Sequence, residues 1–166
     1  MSITDIMKLA YAAMTGVGQD HPRHDSDLLG HTQRVTLFLL ESGRPDLEVV
    51  GILHDVGKVT TRARHKTRPH DVFYGHPKAS IKFIDDHNIE VNNHHQWLIH
   101  HHDDLMNVKD VESFYGYIVK HGETLARDIL DVNRADLAGQ RQDNADVISD
   151  IELNEKFRRY MMMGAL

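Results

Sequence analysis

His54 and Asp55 are adjacent in the stretch LHDVGK, where an imidazole nitrogen and a carboxylate at a helix end can offer two ligand atoms to one divalent ion. An isolated pair of this kind more often faces solvent. Here it belongs to an ordered set: His31 in HTQRV, His76 in FYGHPKAS, His100 to His102 in WLIHHHD, and Asp131 and Asp136 in DILDVNRADLAGQ. Each member stands at the edge of an apolar helical stretch. Buried imidazoles and carboxylates must be paired or metal-bound to offset their desolvation, so several converging on one core imply a metal centre. Successive helical residues diverge by about 100°, so one or two of the three consecutive histidines can face inward, and His101 and His102 both stay open. Asp131 and Asp136 likewise point in different directions, and one ligand is expected from their helix. Nitrogen and carboxylate ligands without thiolate suit Mn²⁺, Fe²⁺, Co²⁺, Ni²⁺ or Zn²⁺ better than Mg²⁺ or Ca²⁺. One or two such ions would acidify a water and support hydrolysis near neutral pH.

Other residues fit the same chemistry. Lys58 lies three residues beyond Asp55, and Gly57 permits a tight turn that would bring its ammonium toward a substrate phosphate. His101, Asp103 and His70 are the candidates to protonate a leaving oxygen. Arg62, Arg64, Lys66 and Arg68 share one aperiodic stretch between Asp55 and His76. Like charges so close repel, and the fold gains nothing evident from grouping them. They are therefore expected to form a clamp for a substrate larger than one phosphate.

The elements that must hold these residues are helical. Apolar positions recur at helical spacing almost throughout, with no sustained period-two alternation, so an all-α fold is expected. Helices are predicted from Thr4 to Met14, with Ser2 or Thr4 as cap, from Ser26 to Glu41, and from Pro45 until Gly57 breaks the pattern. Residues 60–74 read as a loop. Further helices are predicted at Pro77–His87, Asn92–Asp103, Lys109–His121, Glu123–Gly139 and Asp143–Met162.

Composition bounds the rest. The 166 residues fit one domain with one core, and 40% hydrophobic with 27% charged residues is ordinary for a globular chain. Cysteine is absent, which excludes disulfides and thiol redox chemistry and fits a reducing compartment. The apolar start is interrupted by Asp5 and Lys8, too polar for a signal peptide or membrane span, so a cytoplasmic protein is expected. A net charge of −6 argues against coating nucleic acid by long-range attraction, and the 14 histidines are the one abnormal count.

Taken together, HTQRV, LHDVGK, FYGHPKAS, WLIHHHD and DILDVNRADLAGQ resemble the HD superfamily of metal-dependent phosphohydrolases, from about Leu28 to Gln140. More narrowly, LHDVGK, FYGHPKAS and RADLAGQ are similar to the HD domain that follows the catalytic head of bacterial tRNA nucleotidyltransferases and poly(A) polymerases. The resemblance implies a single HD-domain helical bundle over residues 1–166. In it His31, His54, Asp55 and Asp136 would hold a first ion, His76 and His102 would complete a second site, and Asp55 would bridge. It also implies a phosphomonoesterase or phosphodiesterase acting on nucleotides or RNA ends, including 2′,3′-cyclic phosphates. The alternatives are a 3′-to-5′ exonuclease and a non-catalytic binding module. The nucleotidyltransferase head has no room in 166 residues, so nucleotide addition to tRNA is not expected.

Overall fold

The computed structural model describes residues 1–164. The chain runs through α1 (Ile3–Met14), α2 (Leu28–Glu41), a 3₁₀ turn at Pro45–Leu47, α3 (Glu48–Leu53) and α4 (Lys58–Thr61). A hairpin of β1 (Ala63–Arg64) and β2 (Asp71–Val72) follows, then α5 (His76–Asp86), α6 (Asn93–His101) and a 3₁₀ turn at Asp104–Asn107. The remainder is α7 (Val111–His121), α8 (Glu123–Ala138) and α9 (Ala145–Met162). The fold is all-α apart from that hairpin, and no helix among the described residues is long and apolar enough to cross a membrane.

Local chemistry sets the helix starts. Ser2 and Asp5 cap α1 reciprocally, each side chain accepting from the other's backbone N–H. Asp27 caps α2 by accepting from the Gly30 N–H at 2.7 Å. Helix α2 lies against α3 and α8, α3 also against α6, α5 against α6, and α8 against α9. Leu28, Val35 and Leu39 of α2, Ile52 and Leu53 of α3, Leu98 and Ile99 of α6, and Ile129 and Val132 of α8 fill the shared interior. Phe114 stacks on Phe157, centroids 4.4 Å apart, and ties α7 to α9.

Two expectations are corrected. The helix expected from Pro45 to Gly57 is broken into a 3₁₀ turn, α3 and a turn through His54–Gly57. Gly57 itself keeps helical angles, φ −64° and ψ −18°, so it is not a breaker by conformation. It is needed for space, because a Cβ there would lie 2.1 Å from the His76 carbonyl oxygen and 2.4 Å from the Ser80 nitrogen. Residues 60–74 are not a plain loop either: they close α4 and form an antiparallel hairpin pairing Ala63 with Val72 and Arg64 with Asp71. The Asp71 N–H donates to the Asp20 carbonyl at 2.7 Å, and the Asp20 N–H donates to Asp71 Oδ2 at 3.1 Å, docking the hairpin on the α1–α2 connection.

Candidate metal centre

Five elements converge on one point: α2 brings His31, the turn after α3 brings His54 and Asp55, α5 opens with His76, α6 runs into His102, and α8 carries Asp136. His31 and His54 are wholly buried, and Asp55 and His102 are 1% exposed. Each imidazole is fixed from behind in the same way. Nδ1 lies against a backbone carbonyl: Gly139 for His31 at 3.0 Å, Gly51 for His54 at 2.8 Å, Phe73 for His76 at 2.9 Å and Ile99 for His102 at 2.7 Å. A carbonyl only accepts, so every Nδ1 carries hydrogen and every neutral ring presents its Nε2 lone pair to the centre.

Asp55 stands between two groups. Its Oδ2 is 3.3 Å from His31 Nε2 and 3.4 Å from His54 Nε2, while its Oδ1 is 3.1 Å from His76 Nε2 and 3.4 Å from His102 Nε2. Asp136 Oδ1 completes the first group, 2.9 Å from His31 Nε2 and 3.6 Å from His54 Nε2. In the second, the two Nε2 atoms of His76 and His102 face each other at 3.1 Å.

These residues fit a divalent ion. His31 Nε2 and His54 Nε2 are buried and hydrogen-bonded to nothing despite the carboxylates beside them, a costly arrangement unless something else binds there. Two lone pairs meeting at 3.1 Å beside a carboxylate pose the same problem. Ligands at about 2.1 Å from a shared ion sit roughly 3.0–3.4 Å from one another, the range of most of these separations.

Without an ion, protons do part of that work. Burial opposes charge on His31, but the Asp136 and Asp55 carboxylates prevail and push it up to about 9. His54 is likewise pushed up to about 9 against its burial by Asp55 and Asp136. Burial also opposes ionisation of Asp55 and Asp136, yet Lys58 and His54 hold the first, and His31 and His54 the second, well below the usual carboxylate range. Lys58 is buried, donates to Asp55 Oδ2 at 2.7 Å and to Gln19 Oε1 at 3.2 Å, and lies 5.2 Å from the centre of the Phe73 ring. Burial works against its charge, but Asp55 and Asp136 keep it protonated with a raised pKa.

The centre opens into a cleft of about 370 Å³ lined by Asp55, Lys58, His76, Asp103 and Asp136. Asp103 is placed in it, its Oδ2 3.3 Å from His76 Nε2. His101 is not. One residue before His102, it turns to the opposite side, stacks on Trp97 with centroids 4.2 Å apart, and pairs through Nδ1 with Asp104 at 2.9 Å. His70 packs on His21 beside the cleft and does not line it. Asp131 is held by Arg44 and Arg158 and is not among the converging ligands.

The expected arginine clamp is also revised. Arg62 Nε donates to Asp71 Oδ2 at 2.8 Å within the hairpin, while Arg64 pairs with Asp20 and Asp71 and so fastens the hairpin to the α1–α2 connection, and neither arginine lines the cleft. Grouping cations there does serve the fold. Lys66 and Arg68 lie exposed in the hairpin loop, and Arg68 donates its N–H to His65 Nδ1 at 3.0 Å. Sequence reasoning missed His21, Arg23, His24 and Gln140 in the cleft wall. Burial, with Lys58 and His31 nearby, pushes His24 down to about 2, and its neutral ring leaves Nδ1 buried without a partner. The QDHPRHD stretch holding His21, Arg23 and His24 has no periodicity to announce an inward face.

No curated protein and no solved structure matches the chain. The model of the HD domain family matches residues 28–149, a span that begins at the first residue of α2 and holds all six converging histidines and aspartates. A match of that extent decides the question the geometry raised: this chain belongs to the HD domain family of metal-dependent phosphohydrolases.

Proposed function

We propose that the protein is a phosphomonoesterase or phosphodiesterase acting on nucleotides or RNA ends, including 2′,3′-cyclic phosphates. The observation that carries this reading is Asp55, whose two oxygens address two different histidine groups at the floor of an open cleft. That arrangement suits a pair of ions clamping one phosphoryl group. Similarity of LHDVGK, FYGHPKAS and RADLAGQ to the HD domain of tRNA nucleotidyltransferases supports nucleotides as the substrate class.

His31, His54, Asp55 and Asp136 would hold the first ion, and His76 and His102, with Asp55 shared, the second. When bound, such ions supply Lewis acidity and make water nucleophilic near neutral pH. The protein's own groups do the rest. Lys58, fixed by Asp55 and Gln19, contributes a buried positive charge beside the phosphoryl position. Asp103, partly exposed in the cleft, would assist departure of the leaving oxygen, a task for which His101 is turned away. A strand-length substrate is less well served, because Arg62 and Arg64 are engaged by Asp20 and Asp71.

A hydrolysis screen over mononucleotides, cyclic nucleotides and short RNAs with defined ends, with Mn²⁺, Fe²⁺, Co²⁺, Ni²⁺ or Zn²⁺ and with chelator, tests this. Hydrolysis should require the ion, and Asp55→Asn should fall below roughly 1% of wild type while keeping its helical circular dichroism. Full activity in that variant or in chelator defeats the assignment.

A further inference from the structure

The floor of the cleft is charged, but its lining also includes apolar side chains. Phe73, Tyr74 and Met106 line it beside the metal ligands, and Tyr74 is 77% and Met106 48% exposed. An aromatic ring left this open gains nothing for the fold, since an exposed side chain contributes little to the hydrophobic core. The backbone that carries it is nevertheless fixed. Tyr74 sits inside the turn from Phe73 to His76, which is closed twice onto the Phe73 carbonyl: by the His76 N–H at 3.2 Å and by His76 Nδ1 at 2.9 Å. The same turn therefore aims a candidate metal ligand inward and carries an open ring at the mouth. Gly75 completes it at φ 75°, a left-handed conformation, with open space where a Cβ would stand.

Resting on the phosphohydrolase reading above, we infer that Tyr74 and Met106 form a subsite for one unpaired nucleobase, which stacks on Tyr74 while its phosphate lies at the metal centre. The cleft is matched to such an occupant in charge and size. Its lining combines cationic and candidate metal-binding groups with the apolar side chains of Phe73, Tyr74 and Met106, and about 370 Å³ accommodates a nucleoside phosphate rather than a length of strand. Stacking on an aromatic side chain accepts every base because every base has a π-face, so the subsite selects for the presence of a base and ranks purines above pyrimidines only by stacking strength. The protein thus takes free nucleotides or frayed, single-stranded ends and disfavours phosphates on sugars alone.

The test uses two inert ligands on the intact protein saturated with Mn²⁺: an adenosine 5′-phosphonate, whose P–C bond cannot be hydrolysed, and the same phosphonate without its base. Calorimetry should show the nucleoside ligand binding roughly tenfold or more tightly than the base-free one. Tyr74→Ala should remove most of that difference, chiefly by weakening the nucleoside ligand, and Tyr74→Phe should keep it. Thermal denaturation of both variants should match wild type, since the ring is exposed. Equal binding of the two ligands by wild type, or equal weakening of both by Tyr74→Ala, overturns the base subsite and leaves the phosphohydrolase reading standing. Binding of neither ligand overturns both.

Discussion

At the scale of single residues the centre sets buried imidazoles against buried carboxylates, and its behaviour with pH follows. His31 and His54 have values of about 9 in the ion-free protein against 6.5 for a free imidazole. Their contribution to stability is fully present below pH 6.5 and is lost as the pH rises through 9. Asp55 and Asp136 are shifted the other way, so theirs is present above the ordinary 3.8 and is lost on acidification. The ion-free protein should be most stable between those limits, which denaturant midpoints measured across the pH range will show. An ion displaces the ring protons, so Mn²⁺ affinity should rise from pH 6.5 to 9, with roughly one to two protons released near neutral pH. Titration calorimetry in buffers of different ionisation enthalpy reads the release, and heats independent of buffer would remove His31 and His54 from the ligand set. Metal number separates the two groups. His76→Ala or His102→Ala should lower the ions bound at saturating Mn²⁺ from about two to about one, whereas His31→Ala should empty the first site. A single ion in wild type by elemental analysis would leave His76 and His102 as substrate-facing residues.

At the scale of elements, the contact of α5 with the turn after α3 matters most. Ser80 Oγ donates to the His54 carbonyl at 2.8 Å and accepts from the Gly57 N–H at 2.9 Å, and all three groups are buried. Ser80→Ala would leave a buried donor and acceptor unpaired, so it should cost roughly 1–3 kcal/mol, read as a melting temperature several degrees lower. An unchanged melting temperature would mean the hydroxyl is not stapling the two elements. Most helix positions were legible in the sequence because apolar spacing reports the buried face, whereas the set His31, His54, Asp55 and Asp136 came from the resemblance of the motifs, since spacing alone left Asp131 and Asp136 open. The choice between His101 and His102 was not legible, because it depends on the rotation of α6, which burial of Leu98 and Ile99 fixes. Neither was the hairpin: two residues per strand are too few to show a period, and its docking depends on Asp20, 51 positions before Asp71.

For the whole molecule, the ligands come from five elements spread from α2 to α8, three for each of the two groups, so ions bound there would tie together elements distant in sequence. Binding to the folded chain alone should raise the melting temperature by roughly 5–10 °C at a hundredfold excess over the dissociation constant. Chelator should reverse the gain in a thermal scan, and no shift would mean that the site does not load. Trp97, the chain's single tryptophan, stacks on His101 next to His102, so its fluorescence offers a local report of the same event. Much of the cleft wall stayed hidden in the sequence because His21, Arg23, His24, Phe73, Tyr74 and Gly75 lie in connections whose side chains obey no period.

The close approach at Gly57 has a consequence for how such a centre can change over generations. Backbone meets backbone there with no side chain between, so the separation between the His54–Asp55 turn and the start of α5 is set by main-chain contact. Substituting residues around the centre can exchange one ligand atom for another, but it cannot draw the two halves closer or push them apart. By contrast, a side chain at position 57 would force the two halves apart, so a change of gauge would have to begin at that glycine.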